Sequence, residues 1–392
     1  MDMAILDLFG GSGGVGRCTC EILRQLSLEQ TPIMLCGRSH VVDSVMGRAG
    51  KLEHVDFFNL ELPRGDMGAL KIKFLGKYAS QSGWFSNALM ERATRKINNG
   101  SQVIVNYPQV IPPPTGNYQF SIFVHDVNWK HYPGNFDNAA NIDRWGRGWI
   151  EKASKVFVNS EFTRTDLIEQ YKCNPEKVIA APLAPFDEKI TKNTSAQEDV
   201  VLGGLGLEAN RYYLFPAVWG IHKGYDTLTS ALEQCAETDP VVVTCGEALA
   251  NIQKSTREIA QMRQSLAPRW EKLKAQRKIV VQTGVSDMQM GVLRRNCKAY
   301  VLPSHYEGFG FPLVEAVYHH RPAIVSAIPA HQEILNRYSQ YKLATMFDPK
   351  SSEALAKQLH ANPTAPGQLP DEWRESIKKT WSWADTVRRI RS

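Results

Sequence analysis

Short apolar runs recur along the chain, separated by longer stretches in which apolar residues return every three or four positions. In the first half the runs are Ala4 to Phe9, Pro32 to Cys36, Val103 to Val105, Phe120 to Val124, Lys155 to Val158 and Lys177 to Ala180. Runs this short, bounded by turn residues, predict buried strands. Helical patterns lie between them, notably Cys20 to Leu28, Arg144 to Ala153 and Thr163 to Tyr171, the last entered through Asn159-Ser160. The same alternation restarts at Tyr212 to Pro216 and continues through Val241 to Gly246, Ile279 to Gln282, Ala299 to Leu302, Pro322 to Val325 and Ala344 to Phe347. Strands alternating with helices predict parallel sheets covered on both faces. Between the two series, residues 182–210 hold Pro182, Pro185, the polar stretch Thr191 to Asp199 and Gly203-Gly204, a pattern that predicts a linker.

A chain of 392 residues is too long for one ordinary core, so two domains are expected. The fold class is therefore α/β, with two doubly wound halves at 1–190 and 191–372, followed by residues 373–392. Residues 64–86 break the alternation, mixing Lys71, Lys73 and Lys77 with Phe74, Tyr78, Trp84 and Phe85. They read as a variable surface excursion, with a lid or a membrane-facing loop as the other readings.

Composition narrows the partners. With 46 basic against 40 acidic residues, the formal charge of +6 is diffuse. It suits an anionic small ligand or a peripheral membrane contact and does not argue for nucleic acid. No stretch approaches the roughly 20 apolar residues that span a bilayer, and the N-terminus lacks the basic region of a signal peptide. The seven cysteines are scattered, with no C-x-x-C pair, and read as reduced thiols of a cytoplasmic protein.

Ligands of such sheets bind at the carboxyl ends of the strands, so the segments just after strands carry the chemistry. Pro303 to Ala316 follows the run Ala299 to Leu302. It reads as a glycine-loosened turn and a helix opened by Pro312, with Glu307 and Glu315 on either side of Gly308, Phe309, Gly310 and Phe311. A helix start with free N–H groups attracts anions. Two carboxylates beside it are reconciled if they accept hydrogen bonds from hydroxyls, as on a sugar. Three other segments stand at strand ends: Gly10 to Arg17, His125-Asp126 and His222-Lys223-Gly224. Gly11-x-Gly13-x-x-Gly16, with Arg38 after the next strand, also satisfies a dinucleotide fingerprint and keeps an NADP-linked oxidoreductase open as an alternative.

The sequence Pro303-Ser304-x-x-Glu307-Gly308-Phe309-Gly310-Phe311-Pro312-x-x-Glu315-Ala316 resembles the E-x7-E signature of the family-4 retaining glycosyltransferases. Val158 to Arg164, Leu214 to Leu228, Pro322 to Glu333 and Trp381 to Ile390 resemble further segments of that family, while 38–100 resembles it least. The resemblance implies a GT-B fold, two Rossmann-like domains facing across a cleft, the terminal helix crossing back to the first. It implies transfer of a hexose, with retention, from a nucleotide-diphosphate sugar (GDP-mannose or a UDP-hexose) to a glycan, lipid-linked or small-molecule acceptor.

By motif, His125, Lys223 and Glu307 are the expected catalytic residues. Gly13, Gly14, Arg17, His222, Gly308, Phe309, Gly310, Phe311 and Glu315 are the expected donor-binding residues, Glu315 reading the ribose and Glu307 the transferred sugar. With no Asp-x-Asp pair, no metal or other cofactor is expected. The family's usual phosphate-binding arginine is missing from Ala217 to Lys223, which leaves His222 or Arg17 as its replacement. A cytoplasmic site of action, peripheral at the inner membrane face through 64–86, completes the expectation. A non-catalytic sugar-binding protein of the same fold is the remaining alternative.

Overall fold

The computed structural model describes residues 2–7, 13–60, 83–97, 100–185, 195–217, 219–236, 241–245, 257–338, 342–361, 363 and 372–392. The chain forms two compact units. One comprises Met1–Lys130, Asn138–Ala184 and Trp381–Ser392, the other His131–Asp137 and Pro185–Thr380.

The first unit is built on β1 (Met3–Asp7), β2 (Ile33–Gly37), β3 (Val55–Asn59), β4 (Gln102–Asn106), β5 (Ser121–Val124), β6 (Val156–Val158) and β7 (Val178–Ala180). They lie in the order β3-β2-β1-β4-β5-β6-β7, with every neighbouring pair parallel. β1, β2, β5 and β6 are buried along their whole length, which is why they read as unbroken apolar runs. The helix Glu161–Tyr171 starts where the Ser160 hydroxyl accepts the Thr163 N–H at 2.9 Å. The last helix, Trp383–Arg391, packs within this unit: Gln102 Nε2 donates to the Ile390 carbonyl at 2.7 Å, and Arg389 to the Ala180 carbonyl at 3.0 Å.

The second unit is built on β8 (Tyr213–Phe215), β9 (Val242–Cys245), β10 (Ile279–Gln282), β11 (Ala299–Leu302), β12 (Ala323–Ser326) and β13 (Ala344–Phe347). Their order is β10-β9-β8-β11-β12-β13, again all parallel. A core of Tyr213, Phe215, Tyr225, Leu228, Leu232, Trp270 and Val301 holds the helices Tyr225–Glu233 and Arg257–Ala275 to this sheet. Each fully buried Leu there contributes about 2 kcal/mol.

In each sheet the chain winds outward from one central strand, then returns to that strand's other side and winds the opposite way. The reversal falls between β1 and β4 in the first unit and between β8 and β11 in the second. At such a point the two neighbouring crossovers diverge, leaving a crevice beyond the carboxyl ends of the strands. The α/β class expected from the alternating pattern is thus the observed one.

Four details differ from expectation. β3 was not anticipated, because Val55-Asp56-Phe57-Phe58-Asn59 is a half-exposed edge strand without a clean apolar run. Ser195–Gly204 is a helix rather than linker, tied down where Glu198 accepts from Arg295 Nε at 2.8 Å and Asn296 Nδ2 at 2.7 Å. The 373–392 segment divides, Trp373–Thr380 belonging to the second unit and Trp381–Ser392 to the first, and His131–Asp137 belongs to the second unit. Most of the 64–86 excursion and Gly246, the end of the Val241 run, lie outside the described residues. All seven cysteines are free thiols, five of them buried. Among the described residues, no helix is long and apolar enough to cross a membrane.

One backbone contact is decisive for the second sheet. Gly224 has φ of 70°, and a Cβ there would stand 2.0 Å from the Pro303 carbonyl oxygen. Gly224→Ala is expected to destabilise the protein by about 3 kcal/mol through left-handed strain and overpacking, seen as a Tm lowered by roughly 6–12 °C. Gly203→Ala, in open space on a helix, should leave Tm unchanged or raise it slightly.

Candidate active site

In the second unit the turn after β8 and the turn after β11 meet. Ile221–Lys223 forms a single helical turn, and Gly224 then admits the Pro303 backbone beside it. The His305 N–H donates to the His222 carbonyl at 2.8 Å, stitching the two turns together. Lys223 Nζ lies 2.8 Å from both carboxylate oxygens of Glu307. Ser304 Oγ donates to Glu307 Oε1 at 2.7 Å, Ser326 Oγ donates to the Ser304 carbonyl, and His331 Nδ1 sits 2.9 Å from the Ser326 carbonyl. On the outer side His305 Nε2 is 3.2 Å from Asp226 Oδ1.

The helix Phe311–Tyr318 begins directly beyond. Gly310 caps it with φ of 92°, a conformation glycine adopts without strain, and Pro312 sits in its first turn. Phe309 and Phe311 pack edge to face, with ring centroids 5.1 Å apart. Glu315 points into the interior, its Oε1 2.9 Å from Arg294 on the helix Asp287–Asn296, with both side chains 6% exposed.

Electrostatics follow from this packing. Burial works to raise the Glu307 carboxyl, but the Lys223 charge and hydrogen bonds, with His222 and His331, hold it at about 2. Burial, aided by Lys223 and His305, pushes His222 down to about 3 against the pull of Glu307. Burial likewise lowers His331, again against Glu307. At neutral pH the Lys223–Glu307 pair is therefore flanked by the neutral imidazoles of His222 and His331.

The first unit carries a second polar cluster at its own strand reversal. Asp7 ends β1, Asn106 ends β4 and His125 follows β5, all three buried. Thr19 Oγ1 and Asn106 Nδ2 both donate to Asp7 Oδ2, the latter at 3.1 Å, and His125 Nε2 is 2.8 Å from Asn106 Oδ1. Because the Asn106 amide nitrogen is committed to Asp7, its oxygen accepts, and the neutral His125 ring carries its proton on Nε2. Burial pushes His125 down to about 3. Asn159 Nδ2 fixes the His125 carbonyl at 2.7 Å. Asp126 accepts from the Asn128 N–H at 2.9 Å.

The structure thus joins His222, Lys223, Glu307 and the Gly308–Phe311 turn in one cluster. Gly13 and Gly14 are exposed at the start of the helix Gly14–Leu28, and Arg17 lies in its first turn; residues 10–12 of the glycine loop are outside the described residues. Each of the two glutamates faces a basic side chain, Glu307 facing Lys223 and Glu315 facing Arg294. Sequence reading missed Asp7, Thr19, Asn106, Asn159, Asp226, Arg294, Ser304, Ser326 and His331. Asp7 and Asn106 had a signal, being polar residues within or directly after an apolar run; Arg294 and His331 had none. Among the described residues no group of three or more His, Cys, Asp or Glu side chains could hold a metal ion.

Residues 205–380 match the family model described as "Glycosyl transferases group 1". O-antigen chain mannosyltransferase RfbU of Salmonella typhimurium is 22% identical over 251 residues, 64% of this chain and 62% of that protein. The chain therefore matches less than two thirds of that relative's length. Among solved structures, Anabaena HepE in complex with UDP-glucose superposes with a TM-score of 0.71 at 16% identity, covering 99% of this chain and 98% of HepE. Sucrose-phosphate synthase from Thermosynechococcus elongatus gives 0.65 at 16% identity over 99% and 97%. The fold is that of the GT-B glycosyltransferases, and the second unit carries the stretch that matches glycosyl transferases group 1.

The Lys223–Glu307 pair sets a pH dependence. A carboxyl lowered from 4.5 to about 2 on folding contributes stability that is present above about 4.5 and lost as pH falls toward 2. Glu307→Gln is expected to leave Lys223 without its counter-charge and to cost up to about 3 kcal/mol at pH 7. The difference from wild type should shrink between pH 5 and pH 3 in denaturant unfolding; a constant difference would count against the pair.

Proposed function

We propose that the protein is a retaining glycosyltransferase that moves a hexose from a nucleotide-diphosphate sugar to an acceptor hydroxyl without a metal ion. One observation carries this reading: Lys223 is held against Glu307 where the strand order reverses, next to the glycine-capped helix start at Gly310–Phe311, inside the stretch that matches glycosyl transferases group 1. A departing nucleoside diphosphate gathers negative charge on its phosphate oxygens. A lysine and a helix N-terminus are suited to receive it. Glu307 holds the lysine in place, and Ser304 fixes the carboxylate from the other side.

In the reaction the bond from the anomeric carbon to the diphosphate oxygen breaks while the acceptor oxygen bonds to the same face. The acceptor proton passes to the leaving phosphate oxygen, giving the glycoside and a nucleoside diphosphate. His125 contacts the transferred sugar in this scheme, its ring neutral and oriented by Asn106. Glu315 reads the ribose from the helix Phe311–Tyr318, oriented by Arg294. GDP-mannose and UDP-hexoses are the proposed donors: a mannosyltransferase is among the relatives, and HepE was solved with UDP-glucose. The acceptor is a glycan, a lipid-linked sugar or a small metabolite.

The test is consumption of GDP-mannose, UDP-glucose and related donors with a panel of acceptors, in the presence of a chelator, with NADP reduction run in parallel. One nucleotide sugar should turn over and NADP should not. Lys223→Met should lower kcat/KM by about 10²–10³ and His125→Ala by about 10², with retention of anomeric configuration in the product. Unchanged rates in both variants, or a glycosyl adduct trapped on an Asp or Glu, would overturn the site or the same-face route.

A further inference from the structure

The turn after β8 has a partner that sequence reading did not supply. Asn135 belongs to His131–Asp137, which packs within the second unit. Its Oδ1 accepts the Ile221 N–H at 2.8 Å, and its Nδ2 stands 2.9 Å from His222 Nδ1. A backbone N–H can only donate, so the amide oxygen must face Ile221 and the NH2 must face the imidazole. That NH2 can also only donate. Hence Nδ1 of His222 accepts, and the neutral ring carries its proton on Nε2.

Other contacts keep this arrangement in place. The imidazole lies against Gly220, where a Cβ would come within 2.8 Å of Cε1 and 3.0 Å of Nδ1. His131 stacks on Tyr306 with centroids 4.7 Å apart, and Tyr132 lies 6.1 Å from the His222 ring. These anchor the segment that presents Asn135. Lys223, next in sequence, supplies the positive charge, and its partner Glu307 is one residue beyond Tyr306.

We propose that Asn135 is a positioning residue that fixes His222 as a neutral Nε2–H donor for a diphosphate oxygen, beside the Lys223 charge. The proposal rests on the nucleotide-sugar reading above. It divides the grip on the diphosphate between a positive charge and a directional neutral donor. A second cation at position 222 would compete with Lys223 for Glu307, and a neutral imidazole does not.

The experiment has two independent readouts. In protein carrying ¹⁵N-labelled histidine, ligand-free, the His222 ring should show the Nε2–H tautomer. Asn135→Asp keeps an acceptor for the Ile221 N–H but offers only acceptors to the ring, so His222 should switch to Nδ1–H. Calorimetric affinity for UDP or GDP, whichever binds wild type, should then fall roughly tenfold, and affinity for the corresponding monophosphate by less than twofold. Asn135→Ala, which removes both bonds, should give a tautomer mixture and a loss of about fivefold, and it serves if the Asp variant does not fold. An Nδ1–H ring in wild type, or diphosphate affinity within twofold of wild type in both variants, overturns the role of Asn135 while leaving the functional reading intact. Failure of wild type to bind either diphosphate overturns the functional reading itself, and the ligand named here with it.

Discussion

The close approach of two backbone turns, Gly224 against Pro303, is the constraint on which the candidate site depends. Parallel strands β8 and β11 are neighbours although their connections run to opposite edges of the sheet. The crevice this leaves would be empty space unless the turns beyond the strands closed on each other. Gly224 permits that closure because it has no Cβ to strike the Pro303 carbonyl. Once the turns meet, Lys223 and Glu307 fall within 2.8 Å and the pair excludes water from most of its surface. Charge stored this way is already oriented before any ligand arrives, which is the condition for electrostatic stabilisation of a leaving group.

The two units use the same strand reversal with different chemistry. In the first, a buried carboxylate, a hydroxyl and an amide, Asp7, Thr19 and Asn106, end at a neutral histidine. In the second, an ion pair is flanked by neutral histidines. Each unit also has an asparagine that decides which ring nitrogen bears the proton. Asn106 accepts from His125 Nε2, whereas Asn135 donates to His222 Nδ1. Burial lowers both rings to about 3, so neither carries charge at neutral pH, and their value to a site lies in direction and not in charge.

Much of the fold was legible in the sequence because buried parallel strands print as short apolar runs. Six runs in each half marked strands, and the edge strand Val55–Asn59 escaped because half of it faces solvent. Residues 195–204 misled by polarity: Ser195 to Asp199 reads as a linker, yet its Glu198 is bonded to Arg295 and Asn296. Within the site, spacing alone marked the Lys223 turn and the Glu307–Glu315 stretch. It could not mark the cations opposite the glutamates, because Arg294 and Lys223 are separated from their partners by whole elements. Asn135 was the least legible, since nothing in Tyr132-Pro133-Gly134-Asn135 signals that a piece of the first half packs in the second unit.

The central claim is that Lys223, held in place by Glu307, grips a nucleoside diphosphate. Its most direct test is calorimetric titration of wild type and Lys223→Met with UDP, GDP, UMP, GMP and NADP, all with a chelator present. The account predicts that wild type binds one diphosphate well above its monophosphate, binds NADP no better than the monophosphate, and loses the diphosphate advantage in Lys223→Met. Equal affinity for diphosphate and monophosphate in wild type, or a diphosphate advantage that survives loss of the lysine, would contradict it.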